Sequence, residues 1–294
     1  MIECKYELNK LIPGLSYEQY AEVGFVRAST LHRMRRSPAH YQAELAHPAP
    51  KTEALEFGKL FHFAVENPER FLDTYVLEPE FVGKTKDGKD STRSAEAKAK
   101  REAWYSDQKP GTTIVKRDWA DPLVGMLKSC MRHKLVGNLL RNGLREVSCF
   151  VEDPETGEGL QFRPDFVSEL GYMIDFKTTR NANPNSPFFR NQIFSTRYDE
   201  DPMYMLAAAH YTHGAKVARL TGLRSDSMTL IAIEKEYPYG IGIYPLDIGC
   251  IGPGEQWRQH LTALYRTCRQ TGRWPCYPEK AASVVPPTWV ELPE

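Results

Sequence analysis

The sequence predicts a mixed α/β domain with an N-terminal helical elaboration, and three observations predict it. Helical apolar periodicity runs through the first 144 residues. At Arg145 the period changes to two, with Val147, Cys149 and Val151 at alternate positions. After that, strand-like runs and helical stretches interleave to the end of the chain, the pattern of a sheet flanked by helices. The natural division is residues 1–144 and 145–294, expected to form one compact domain.

The elements follow in order. A helix is predicted over Ser29–Leu45, with Ser29 as N-cap and Leu31 and Met34 on its apolar face. Arg27, Arg33, Arg35 and Arg36 fall here with no acidic residue among positions 27–36. A second helix spans Glu53–Glu66. Residues 84–117 hold ten Lys/Arg against five acids, and the turn-rich TKDGKD precedes a charged helix near Ser94–Ser106. Helices then fill Trp119–Arg141. From Arg145, a strand, the turn DPETGEG, a second strand in LQFRPDFV and a third in YMIDFK make an antiparallel meander. An Ala-rich helix over about Asp201–Tyr211, the strands SMTLIAIEK and GIGIYPL, and a helix over Gly254–Gln270 complete the chain.

Composition excludes several classes. The 294 residues carry 38 basic and 38 acidic side chains, so no overall field draws the protein to nucleic acid, although local patches stay open. No run approaches the ~18 apolar residues of a membrane span. MIECKYELNK has neither a basic n-region nor an apolar h-region, so a cytoplasmic protein is expected. Six scattered cysteines without a CxxC pair predict reduced thiols rather than disulfides, a zinc ribbon or an iron–sulfur cluster.

The chemistry concentrates in Arg163-Pro164-Asp165 and Asp175-Phe176-Lys177. Strand alternation puts Asp175 and Lys177 on one face, with Asp165 on the neighbouring strand opposite them. Two hard carboxylates beside a lysine suit Mg²⁺, with Mn²⁺ as a substitute, and a lysine there can neutralise charge on a phosphate. His62 and Glu66, four apart in a helix, share a face.

This constellation resembles the catalytic motif of the PD-(D/E)XK nuclease superfamily. SYEQY, STLHRMRRSPAHYQAEL, FGKLFHFAVENPERF, TKDGKD, REVSCFVEDPETGEGLQFRPDFV, IDFKTTRNANP and TGRWPCYP are similar, in order, to segments of its RecE (exonuclease VIII) group, from about Leu15 to Pro278. The resemblance implies a restriction-endonuclease-like core with a mixed central sheet flanked by helices. It also implies a metal-dependent 5′-to-3′ exonuclease on double-stranded DNA ends, of phage or prophage origin in a bacterial host. A ring-shaped homo-oligomer and a RecT-like single-strand annealing partner come with it, the product being a 3′ overhang for recombination.

Carried over by position, Asp165, Asp175 and His62 are metal ligands and Lys177 is the catalytic lysine. Glu66 would orient His62, and Glu146 is balanced between site support and a surface carboxylate. One position departs: Ala207 stands where the family has a glutamine, between Tyr204 and Tyr211, and Gln192 is the substitute within reach of the sequence. DNA contacts are expected from Arg33, Arg35 and Arg36, and from Thr178, Thr179 and Arg180 after the catalytic strand. Two alternatives stand beside the exonuclease: an endonuclease on the same core, and a DNA-end-binding recombination scaffold with weakened catalysis.

Overall fold

Helices fill the first half of the chain, four of them opening behind a serine or threonine whose hydroxyl accepts an exposed backbone N–H. A computed structural model describes residues 3–50, 52–186, 189–190, 193, 204–277, 279 and 281. Helix α1 is Tyr17–Glu22, capped reciprocally by Ser16 and Gln19. Helix α2 is Ala28–Met34 and α3 is Pro38–Ala46. The single helix predicted over Ser29–Leu45 is therefore two. Pro38 has no N–H for a continuing ladder, so it opens α3 in its first turn, with Ser37 as N-cap. Helix α4 spans Glu53–Glu66 behind Thr52, as its periodicity predicts. Pro68 then starts α5, Pro68–Thr74.

Strand β1 (Tyr75–Leu77) pairs in parallel with β4 (Thr113–Val115). Between them, β2 (Gly83–Lys84) and β3 (Asp90–Ser91) form a hairpin around TKDGKD, where Gly88 adopts φ +75°. Helix α6 is Ala95–Ser106, capped by Ser94. Helices α7 (Arg117–Arg132) and α8 (Lys134–Asn142) follow.

The meander is present, but its first two strands are each cut in two. The first becomes β5 (Leu144–Arg145) and β6 (Cys149–Glu152); the second becomes β7 (Gly159–Phe162) and β8 (Phe166–Val167). Glu146 is left-handed at φ +45°, and Pro164 cannot donate a ladder hydrogen bond, so pairing lapses at both positions. The cut halves go to different sheets. β6 and β7 pair with each other as a separate two-stranded sheet, whereas β5 and β8 join β9 (Met173–Thr179), giving the five-stranded order β11-β10-β9-β8-β5. Helix α9 (Tyr204–Val217) crosses over to β10 (Met228–Glu234), which runs parallel to β9. Antiparallel β11 (Ile241–Leu246) forms the far edge.

Helix α10 runs Ile248–Thr271, six residues longer at its start than predicted. Gly252-Pro253-Gly254 reads as a break, but Asp247 caps the helix ahead of it. Gly254 is buried where α10 crosses α9, and a methyl group there would collide with the Met205 backbone.

Both faces of the central sheet are apolar. Met173, Leu230 and Ala232 pack with Leu31, Leu206 and Leu261 under α2, α9 and α10. Ile174, Phe176 and Ile231 pack with Phe57, Phe61 and Met126 under α4 and α7. The catalytic-strand candidate β9 thus lies between two helical layers. All six cysteines are free. No helix among the described residues is long and apolar enough to cross a membrane.

Candidate metal centre

Where β7 stops and β8 begins, the sheet leaves the N–H of Phe176 on β9 without a strand partner. The Asp165 carboxylate fills that gap, accepting the Phe176 N–H at 2.7 Å through Oδ2. Phe176 itself turns to the opposite face, fully buried beside Phe61 and Phe166. Asp165 is thereby fixed to the strand that presents Asp175 and Lys177.

Helix α4 supplies the rest. It packs directly on β9: a methyl group at Gly58 would touch the Thr178 hydroxyl at 3.4 Å. One turn further along, His62 Nδ1 meets Glu66 Oε1 at 2.9 Å and lies 3.5 Å from Asp165 Oδ2. Among the described residues, His62, Glu66 and Asp165 are the group whose ligand atoms all fall within 4.8 Å of one another. Glu66 thus stands among the possible ligands as well as beside His62. Asp175 is engaged differently: it is 8% exposed and ion-paired with Lys177. The Lys177 ammonium in turn lies 5.3 Å from the centre of the Tyr204 ring.

The electrostatics fit a cation. Burial pushes the Glu66 and Asp165 carboxyls up, and each is raised further by a neighbouring carboxylate. Burial opposes the charged form of His62, but Asp165 and the hydrogen bond to Glu66 outweigh it and lift the imidazole to about 9. Burial likewise opposes the Lys177 charge, and Asp175 outweighs it, so the ammonium stays protonated. One imidazole and two carboxylates crowded together offer the nitrogen and oxygen donors a divalent ion takes, and such an ion would displace the proton that His62 holds.

The cluster lies in a groove of about 1640 Å³. That exceeds the ~300–1,000 Å³ of small-molecule pockets and suits a polymer. Arg27, Arg33 and Arg36 line it on one side; Lys59 and Arg70 line it from α4 and α5. Sequence reasoning left out Lys59, although it lies three residues before His62 on the same helical face.

The remaining predicted residues divide. Arg33 lines the groove and lies 3.5 Å from Glu44; Arg36 lines it and donates to the Tyr277 hydroxyl at 3.4 Å. Arg35 corrects the expectation. It is 5% exposed, with its guanidinium over Trp257 and 3.3 Å from His32, so it is packing rather than meeting phosphate. Thr178 lines the groove, but Thr179 is buried and caps the following loop through the Asn181 carbonyl, also against expectation. Arg180 is exposed outside the groove lining. Glu146 lines the groove and is ion-paired with Arg163. Ala207 lines it too. Gln192 lies outside the described residues.

Comparison with known proteins places this geometry. The pattern of the family described as a PDDEXK-like domain of unknown function (DUF3799) matches residues 28–285. A crystal structure from Eubacterium rectale, described as a putative exonuclease, superposes with a TM-score of 0.57 at 12% identity, covering 87% of each chain. At that identity the likeness is one of fold. The structure of SSO0001 aligns over 83% of this chain and 89% of its own at 12% identity, with a TM-score of only 0.26. No curated protein matches the sequence.

Proposed function

Because the chain belongs to the PDDEXK-like DUF3799 family, we propose that it is a metal-dependent deoxyribonuclease, and specifically an exonuclease on linear double-stranded DNA. The observation that carries this reading is the meeting of His62, Glu66 and Asp165 beside Asp175 and Lys177 inside a polymer-sized groove.

His62, Asp165 and Asp175, with Glu66 beside them, would hold Mg²⁺ or Mn²⁺. Such an ion, when bound, lowers the pKa of a water and neutralises charge developing on a phosphate. The chain's own residues do the rest. Lys177, held cationic by Asp175 and oriented against Tyr204, offers N–H donors to the non-bridging phosphate oxygens. The Arg27, Arg33 and Arg36 wall and Lys59 track the DNA backbone without reading sequence. Digestion from the 5′ end would leave a 3′ overhang for a RecT-like annealing protein in the host cytoplasm, and a ring of subunits would keep the enzyme on its substrate. The likeness to RecE segments supports these finer points.

The test uses purified protein with Mg²⁺ and either linear or covalently closed circular duplex, beside Lys177→Ala. Stepwise loss of the linear duplex alone is the expected result. Cutting of the closed circle would replace the exonuclease with an endonuclease. Binding without nucleotide release would make it an end-binding scaffold, the reading favoured by Ala207. Equal degradation by wild type and Lys177→Ala would sink the mechanism.

A further inference from the structure

Two residues before Asp165, Arg163 lines the same groove and is 8% exposed. Its guanidinium is held on two sides: Nη2 donates to Glu146, and the group lies 5.7 Å from the centre of the Tyr20 ring. Its backbone is held as well, the carbonyl accepting the Tyr211 hydroxyl at 3.1 Å. Yet Nε and Nη1 have no acceptor among the described residues.

A buried guanidinium with two unmatched donors is costly, and a folded protein rarely keeps one without a use. The surroundings indicate the ligand. Arg163 and Asp165 flank Pro164 in the break between β7 and β8, and both line the groove. Lys177 stands beyond Asp175 on the neighbouring strand. Helix α9 covers this region through Tyr204, Ala207 and Tyr211. Tyr204 meets Lys177 and Tyr211 meets Arg163. The short Ala207 side chain lies between those two contacts and leaves room.

We propose that Arg163 binds a DNA phosphate at the carboxylate cluster, opposite Lys177, and that Glu146 holds its place until DNA arrives. The planar Arg fork matches two phosphate oxygens, which a lysine cannot do. Glu146 suits a placeholder: it lies on the left-handed residue that interrupts the first strand, next to the groove, where its carboxylate can be exchanged for phosphate. The inference takes its ligand from the nuclease reading, but its test needs no cleavage.

Binding of a fluorescein-labelled linear duplex is measured by anisotropy in EDTA across a salt series. Arg163→Gln should weaken binding about tenfold. It should also flatten the salt dependence by about one unit of slope, as loss of one phosphate contact does. Glu146→Gln should tighten binding several-fold in the wild-type background and change nothing when Arg163 is already Gln. A purely structural ion pair would instead weaken or leave unchanged both single variants. Arg163→Lys keeps the charge and the aliphatic stem; it should keep the salt slope and lose affinity, and it serves if Arg163→Gln does not fold. Three results would overturn the proposal: no duplex binding by wild type, an unchanged slope in Arg163→Gln, or equal tightening by Glu146→Gln in both backgrounds. Failure of wild type to degrade DNA with Mg²⁺ bears on the nuclease reading instead.

Discussion

Two polar clusters in this protein use nearly the same residue types and come out opposite. In one, His62, Glu66 and Asp165 meet at a groove. In the other, Asp153, His213, Glu255 and Arg258 meet between the β6–β7 hairpin, α9 and α10. Arg258 is 1% exposed and forks onto both Glu255 oxygens at 2.7 Å. Asp153 is fully buried, 3.6 Å from Arg258 and 3.5 Å from His213, and accepts the Thr156 hydroxyl and the Glu155 N–H. Burial pushes the Asp153 carboxyl up, but hydrogen bonds from His213 and Glu155 outweigh it and bring it down to about 2. The carboxyls of Glu66 and Asp165 move the other way. A cluster buried among its own ion pairs is a fastener; one open to a groove is a site. Residue type alone does not distinguish them.

The largest expected effect lies in the fastener. Arg258→Ala removes the forked partner of Glu255 and the buried cation beside Asp153, and should cost about 3–5 kcal/mol of stability by urea unfolding. DNA degradation per folded molecule should stay near wild type. Lost activity at full stability would mean that the two clusters do not divide the work as described. Next comes the site: Asp165→Asn should reduce degradation about 10²–10³-fold, with a melting temperature no lower than wild type. A large fall in melting temperature would make Asp165 a structural residue as well. Glu66→Gln should weaken Mn²⁺ binding about 10–100-fold in calorimetric titration; unchanged affinity would leave Glu66 outside the metal's reach.

The smallest effect is one of pH. With a folded pKa of about 2 against an ordinary 3.8, Asp153 stabilises the native state above pH 3.8 and loses that contribution as pH falls through 2. Between pH 4 and 2, Asp153→Asn should therefore lose melting temperature less steeply than wild type. Parallel curves would show that Asp153 carries no pH-dependent stability.

The sequence made the α4 helix legible over Glu53–Glu66 through its apolar period, and it made the D-x-K strand legible through alternation. It also put His62 and Glu66 on one helical face. Other features depended on tertiary structure. Nothing local says that Glu146 will turn left-handed and split a strand, or that Arg163 will keep two donors unmatched. The inward turn of Arg35 was more accessible: Arg33 and Arg36 are three apart and reach the groove together, whereas Arg35 points off that face into Trp257. The β6–β7 hairpin fastener was invisible because Asp153, His213 and Arg258 are far apart in the chain.

The packing of α4 on β9 carries one further consequence. The possible ligands are divided between a helix and the sheet, distant in sequence, and they meet only where the two pack together. Neither half can assemble the cluster alone. On the nuclease reading, a chain that is still being synthesised, or one that has partly unfolded, is disarmed by default. For a cell that must make such an enzyme beside its own chromosome, folding acts as the safety catch.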